Sequence, residues 1–569
     1  MADSSDIRAT GNGYSAKGYD TEKGSFKQEV FQDEQQRIEG IETSVETSLH
    51  RGLKARHIAM VAMGGAIGTG LLVNTGLALA KAGPAPLFIA YSFVGILVYM
   101  VMAGMGEMAA WLPLNSGFTG YASRYCHKSL GFTLGWTYWC KYIIVTPNQL
   151  TAAALIVQFW VSPQKLNPGI IVAIFIVLIL SINYFGGVKF FGEAEFWMSS
   201  LKVCVILGII LFSIVIASRP GYGFHTWRDP GAFAELYYTG SLGRFVAFWS
   251  VMVNAAFAFL GVELCGLTSS EAQNPRRVIP KAIRLTFFRI LVFYILSVLL
   301  VGLIVPYNSP DLKAANKQKS SASASPFVVA AKVAGIHTLP SLINACLLIF
   351  VFSAATSDLY VASRTLYGLA CDRSAPAIFR RVNSRGVPSY ALFVCATFCC
   401  LAFMVVSNDA SKIFSYFVNT TTIFGLLTWI SLLVAYIFFL RARRVQGIAN
   451  SAMPYVAPQG LIGTYIALFF CCLVALTKNF DAFIPHDGKR IDVPTMISGY
   501  IGIPVYLLLL FGHMIITGSR AIKPQDVDFF SGKDIIDREE ELFLEQEAEK
   551  KMSRSGWNKF YDRFISWLF

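Results

Sequence analysis

The stretch "AMGGAIGTGLLV", Ala62 to Val73, lies inside an apolar run from about His57 to Leu79 and carries Gly64, Gly65, Gly68 and Gly70. Glycine costs roughly 1 kcal/mol against Ala in a helix interior. A bilayer-crossing helix needs about 20 mostly apolar residues, and this run supplies them. The segment is therefore forced toward a helix by its surroundings and resists being one in its middle.

The rest of the chain has the same solvent in view. Of 569 residues, 54% are hydrophobic and 15% charged, and mean hydropathy is +0.52. A soluble domain carries roughly 25% charged residues, so the composition excludes one. The 45 phenylalanines suit lipid-facing and interfacial positions. The net charge is +13, but its cations cluster in short stretches between apolar runs, which fits membrane topology rather than nucleic-acid binding. Eleven cysteines fall mostly within apolar runs and show no zinc-type spacing. The polar stretch 1–50 reads as a disordered tail with no cleavable signal, so the first span is expected to serve as an uncleaved targeting signal.

Twelve spans are expected, near 57–79, 86–110, 131–160, 168–186, 195–217, 245–267, 287–306, 338–371, 390–407, 413–440, 462–484 and 495–517. The fold class is an all-α membrane protein. Arg51, Lys54 and Arg56 precede the first span. Arg276, Arg277, Lys281 and Arg284 follow the sixth, Arg373, Arg380, Arg381 and Arg385 the eighth, Arg441, Arg443 and Arg444 the tenth, and Arg520 and Lys523 the twelfth. All lie on one side of a twelve-span chain, which the positive-inside rule makes cytosolic along with both termini. The stretch "KAANKQKSSASAS" after the seventh span dissents. The tail from Asp534 to Met552 reads as a solvated or docked cytosolic helix, and Lys17, Lys23 and Lys27 are available to a ubiquitylation machinery.

The sixth span, "NAAFAFLGVELCGLTSSEAQNP", repeats the oddity of the first, with Gly261 and Gly266 on either side of Glu263. Two glycine-interrupted spans, five spans apart, suggest a transporter built of inverted repeats. Unwound backbone at the bilayer midplane costs several kcal/mol per unpaired group unless something bonds it. An α-amino acid meets that need, its carboxylate taking N–H groups and its ammonium taking carbonyls, and glycine lets the main chain approach it. The competing reading is helix packing, since Gly64 and Gly68 form a G-x-x-x-G pair. No strand–loop–helix context for a nucleotide loop and no G-x-x-x-x-G-K-[ST] motif is present.

"GGAIGTGL", "GEMAAWLP" at Gly106–Pro113, "FGEAEFWMSSLKV" at Phe191–Val203, "FLGVELCGLTSSEAQNPRRVIPKAI" at Phe259–Ile283 and "VPYNSPDL" at Val305–Leu312 resemble fungal amino-acid permeases of the amino acid–polyamine–organocation superfamily. The likeness runs from about Arg51 to the C-terminus, whose "SGWNKFYDRFISWLF" resembles tails of filamentous-fungal general permeases. The resemblance implies a LeuT-type five-plus-five inverted-repeat core plus two further helices. The repeats then occupy about 57–217 and 245–440, within a transporter domain of 51–517 followed by a cytosolic tail, 518–569. It also implies proton-coupled amino-acid uptake at the plasma membrane, with the proton gradient as driving ion, no other cofactor and no enzymatic activity.

Carried onto this chain, the resemblance gives Ala66, Ile67, Gly68, Thr69 and Gly70 the substrate carboxylate, and Phe257, Phe259, Leu260 and Gly261 the ammonium. Phe257 matches a gating aromatic of bacterial relatives, against simple core packing. Gln149 stands where many fungal permeases carry glutamate, with Lys141 upstream on the same span. Thr421 and Thr422 in "NTTTIFG" are expected to touch the substrate side chain. Losing a carboxylate beside a lysine disfavours cationic substrates by Coulomb repulsion, which points to neutral amino acids such as proline, or a broad range. A basic-amino-acid permease and a non-transporting receptor of the same fold are the alternatives.

Ionisable groups within spans are expensive and default to functional roles. Lys202 matches a fifth-span lysine that occupies the sodium position in some proton-coupled relatives, against a snorkelling lysine near a helix end. Glu263 matches a proton-sensitive glutamate, against a neutral brace for the broken helix. Asp358 stands where many members carry Asn, as Thr356 replaces another.

Overall fold

The computed structural model describes residues 68–114, 117–264, 275–310, 312, 325–406, 410–484 and 491–534, with 536–538, 540–541 and 544–545 beyond. Ala66, Ile67, Gly266, most of the Lys313–Ser325 stretch and Lys17, Lys23 and Lys27 lie outside the described residues. The described residues belong to one compact unit, Ser48–Phe569.

Eleven described helices are long and apolar enough to cross a membrane: Pro84–Trp111, Lys128–Val157, Pro168–Phe185, Phe190–Ala217, Gly240–Ala258, Ile279–Ile304, Leu339–Cys371, Ser389–Val406, Ser411–Val445, Gly460–Phe483 and Val493–Thr517. They correspond to the second to twelfth expected spans. The first span is described from Gly68 onward, as Thr69–Leu72 and Asn74–Ala82. The protein is thus an all-α membrane protein.

Burial separates the centre from the rim. In the third and tenth spans, 78% and 83% of the most apolar window is buried inside the protein, against 17% in the twelfth. Leu508, Ile515 and Ile516 on that last span face outward, as lipid permits. Polar side chains within the central spans turn back on their own helix. Thr133, Thr146, Thr151 and Thr428 each donate to the carbonyl four residues earlier, which satisfies a hydroxyl in a place without water.

Three boundaries differ from expectation. The sixth helix stops at Ala258 rather than near 267, because Gly261 takes φ +95°, a left-handed conformation that ends a helix. The seventh begins at Pro275, not near 287, so Arg276, Lys281 and Arg284 stand on a helix. The tenth runs on to Val445 and carries Arg441, Arg443 and Arg444 in its last turns. Arginine and lysine are good helix formers, so a charged sequence leaves the bilayer without leaving the helix.

The face carrying Arg443 also holds the C-terminal segment. Phe529 is buried between the rings of Tyr125 and Phe439, while Trp111 Nε1 donates to its carbonyl at 3.0 Å. Gln446 Nε2 donates to Val527 O at 2.7 Å, and Arg124 pairs with Asp528 at 2.8 Å. Farther on, Arg276 bonds Asp537 and Glu540 at 2.5 and 3.0 Å. The tail expected as a solvated or docked helix is docked where it is described. On the same face Glu107, fully buried, accepts from Tyr436 Oη, Arg443 and the Ala457 amide.

Candidate functional site

The two broken spans meet. A Cβ placed on Gly70 would lie 2.6 Å from the Cα of Ala258 and 3.2 Å from the Phe257 carbonyl oxygen. Only glycine allows that approach, because the obstacle is backbone and cannot swing aside. One turn on, Asn74 and Asn254 bond reciprocally: Asn254 Nδ2 donates to Asn74 Oδ1 at 2.7 Å, and Asn74 Nδ2 to the Asn254 carbonyl at 3.3 Å. Gly68 is different. Its nearest neighbours to a Cβ are Gln149 Nε2 at 3.4 Å and Ala354 at 3.6 Å, ordinary contact distances. Gly70 packs the spans together, and Gly68 keeps a space open.

That space is a pocket at the break. Gly68, Thr69 and Gly70 line it from the first span, and Phe257, Ala258, Leu260 and Gly261 from the sixth. Lys141, Tyr142, Val145 and Gln149 form its third-span wall, and Ala354 and Asp358 its eighth-span wall. It encloses about 30 Å³ of water-accessible space, roughly room for a water or two, so an amino acid must widen it to enter.

The polar groups are arranged asymmetrically. Lys141 is buried, and its Nζ donates to Glu263 Oε1, while it also lies over the rings of Tyr138 and Tyr142 at 5.1 and 4.5 Å. Glu263 Oε2 accepts from the Gly261 amide at 3.2 Å, which braces the left-handed turn that ends the sixth-span helix. Gln149 Nε2 donates to Asp358 Oδ2 at 3.2 Å. Gln149 Oε1 and Thr69 Oγ1 are buried without a hydrogen-bond partner. Buried polar atoms are normally paired, and two unpaired ones in a pocket wall are what a ligand can satisfy.

Several expected residues lie elsewhere. Phe259 is fully buried against Tyr294 and Tyr91, ring centroids 4.6 and 5.9 Å away, and packs the sixth span onto the seventh and second. Thr422 Oγ1 donates to Val418 O at 2.6 Å, Thr421 Oγ1 has no partner, and neither lines the pocket. The tenth span reaches the site through Gly425, whose missing Cβ seats Leu260 Cδ2 at 2.2 Å. Lys202 also lies off the pocket. Its Nζ stands 3.8 Å from Glu195 Oε1, and the Glu195 oxygens accept from Ser199 and Ser353 at 3.0 and 2.8 Å.

Sequence reasoning named Lys141 only as a source of repulsion, and missed Tyr142, Val145, Ala354 and Glu195. The signal was helical spacing. Positions 141, 145 and 149 repeat every four residues, as do 354 and 358, and each set shares a helix face.

Comparison with known proteins agrees with this architecture. The chain is 51% identical over 534 residues to the dicarboxylic amino acid permease of Saccharomyces cerevisiae, covering 92% of this chain and 87% of that one. It is 36% identical over 529 residues to the proline-specific permease of Emericella nidulans, covering 91% and 95%. Among solved structures, a mutant form of the Eremococcus coleocola manganese transporter superposes with a TM-score of 0.55 at 13% identity, over 84% of this chain and 98% of that one. That likeness shows the fold alone, which together with the family match below is the LeuT-type arrangement. The amino acid permease family profile matches residues 57–523, and the chain belongs to that family of membrane transporters, which are not enzymes.

Proposed function

We propose that this chain is a proton-coupled uptake permease of the plasma membrane, and that acidic amino acids are its preferred substrates. The observation that carries the substrate class is Lys141, the one cation among the described residues lining the pocket. A buried cation beside an amino-acid site attracts a second carboxylate and repels a second ammonium. The name of the yeast relative, a dicarboxylic amino acid permease, supports the same choice.

In this reading the amides of Thr69 and Gly70 hold the α-carboxylate, as the sequence suggested for the segment from Ala66 on. The sixth-span carbonyls at Phe257, Leu260 and Gly261 take the ammonium, with Asp358 facing it across the pocket. Gln149 Oε1 supplies a further acceptor. The face holding Arg443 and the C-terminal segment is cytosolic, on the loop-cation argument, and its tails are where a ubiquitylation machinery acts. Of the groups put forward for proton coupling, Lys202, Glu263 and Asp358, Asp358 lines the pocket and Glu263 is bonded to the pocket's Lys141, whereas Lys202 stands off it beside Glu195.

The Lys141–Glu263 pair is net neutral as it stands, which favours neutral amino acids such as proline as the second reading. Uptake of labelled aspartate into proteoliposomes, competed by a panel of unlabelled amino acids, decides between them. Glutamate and aspartate are expected to compete most strongly, and arginine and lysine least. Competition by proline with none by glutamate moves the substrate to the neutral class. Saturable binding without net flux would instead make the protein a receptor.

A further inference from the structure

The pocket is too small for an amino acid, so part of its wall must give. Most of that wall is held. Lys141 is bonded to Glu263 across the third and sixth spans, and Gln149 to Asp358 across the third and eighth. Gly70 is pressed against the backbone of Phe257 and Ala258. Val145 is β-branched and stands on a helix, where one χ1 rotamer dominates. Leu260 is placed otherwise. It lies past Ala258, the last helical residue of the sixth span, and its side chain has no polar group to tie it down.

Leu260 lines the pocket and also rests against the tenth span, where it meets Gly425. A Cβ on Gly425 would overlap Leu260 Cδ2 and stand 3.2 and 3.3 Å from its Cδ1 and Cγ. The isobutyl group therefore fills the volume that a side chain at 425 would take. Glycine in a helix interior is destabilising relative to Ala, and here the backbone does not call for it. Gly425 stands within the Ala410–Val445 helix and takes no left-handed conformation. At Gly70 a Cβ meets main chain, whereas at Gly425 it meets only the movable end of a side chain. What Gly425 supplies is room for Leu260.

We propose that Gly425 and Leu260 form the length gauge of the site. The glycine lets Leu260 sit back into the tenth span, and the depth gained sets the longest substrate side chain the pocket admits. Gly425 is a positioning residue, acting through Leu260 rather than on the substrate. A Cβ at 425 drives Leu260 off the tenth span and into the pocket, so its effect grows with the length of the substrate. Truncating Leu260 does the reverse. The gauge rests on this pocket being the amino-acid site, and it applies to acidic and neutral side chains alike.

The experiment is uptake into proteoliposomes by the full-length protein, along two series that lengthen by one methylene. One series is aspartate, glutamate and 2-aminoadipate, and the other is alanine, 2-aminobutyrate and norvaline. One methylene against an apolar wall is worth about 10-fold in discrimination. Gly425→Ala is expected to raise KM by about 10-fold more at each step, with the maximal rate for the shortest member little changed. Leu260→Ala is expected to flatten both series in favour of the longer members. Gly425→Ala combined with Leu260→Ala should recover the longer members, because no isobutyl group remains to be displaced. A loss in Gly425→Ala that is equal along each series and unrelieved by Leu260→Ala assigns the glycine to helix packing and overturns the gauge. If Gly425→Ala does not fold, an unchanged length profile in Leu260→Ala overturns it. Should only the neutral series be carried, with the expected trend, the acidic substrate class falls while the gauge stands.

Discussion

Among the described residues two lysine–carboxylate pairs are buried in the spans, and they are built differently. Lys141 and Glu263 come from different spans and touch directly, and Lys141 lines the pocket. Lys202 and Glu195 share one helix, stand 3.8 Å apart and are not among the described residues lining it, with Ser199 and Ser353 occupying the carboxylate. Replacing one partner in the first pair strips an ion of its counter-ion. In the second, two hydroxyls remain to hold the carboxylate. One pair puts a charge in the pocket wall, whereas the other ties the fifth span to the eighth. Burial and charge alone would rank the two lysines as equals, and only the placement of their partners separates them.

The largest effect should come from a change that ignores charge. Gly70→Ala drives a methyl into the backbone of Ala258, and the spans that flank both the pocket and the Lys141–Glu263 pair must part. Uptake of every amino acid is expected to fall by more than about 100-fold, the equivalent of roughly 3 kcal/mol, with acidic and neutral substrates affected alike. Gly68→Ala, where the same methyl meets ordinary contacts, should keep measurable uptake. Equal loss in both variants would show that the glycines matter for helix packing rather than for the site.

Lys141→Met comes next and discriminates where Gly70→Ala does not. Aspartate uptake is expected to fall by about 100-fold while neutral amino acids are transported at nearer the wild-type rate. The isolated Glu263 should also lower stability by about 3–5 kcal/mol, the cost of breaking a buried pair. The double variant Lys141→Met with Glu263→Gln removes both charges and is expected to recover the thermal midpoint without recovering aspartate uptake. An aspartate preference surviving in the double variant would move the selectivity determinant to another residue.

Lys202→Met and Ser353→Ala probe the other pair and should do less. Glu195 keeps its hydroxyl donors in the first case, and the second removes one hydrogen bond to a charged group, worth about 1.5–3 kcal/mol. Both are expected to reduce the thermal midpoint and the amount of folded protein, while the ratio of aspartate to proline uptake and the pH dependence stay as in the wild type. Loss of gradient-driven accumulation in Lys202→Met with exchange intact would place the coupling role on Lys202.

This contrast marks how far the sequence could be read. Eleven of the expected spans recur among the described helices, because hydropathy over about 20 residues is a local property. The breaks were legible too, since glycine at Gly70 and Gly261 is a demand of the backbone itself. What the linear pattern hid was pairing. Gln149 and Lys141 were visible on one helix face, but that Glu263 would reach Lys141 from 122 residues away, or that Phe259 would turn from the pocket toward Tyr294, depends on how spans rotate against one another. Helix ends were misplaced for a related reason: the hydrophobic signal marks where the bilayer stops, and the helices of Arg276 and Arg443 continue beyond it.

The smallest effect belongs to a pair outside the membrane. Arg124 and Asp528 hold the C-terminal segment at 2.8 Å, with Asp528 half exposed. Partial burial pushes the Asp528 carboxyl up, but the Ser531 and Phe530 amides and Arg124 outweigh it and hold it below the usual carboxylate value. A depressed carboxyl contributes stability that is fully present above its unfolded value of about 3.9 and fades as pH falls through the lower folded value. Limited proteolysis of detergent-solubilised protein should therefore find the segment protected at neutral and mildly acidic pH, and cut only below about pH 4. Exposed pairs are worth about 0–1 kcal/mol, so Asp528→Asn should barely move the thermal midpoint or aspartate uptake. Asp528 is half in water, and Arg124 keeps the Asp528 and Ser531 carbonyls as acceptors, so losing the carboxylate does not strand it. In Lys141→Met the carboxylate has nowhere to find a replacement. A large transport defect in Asp528→Asn would mean that the C-terminal segment restrains the spans it lies across, rather than merely covering them.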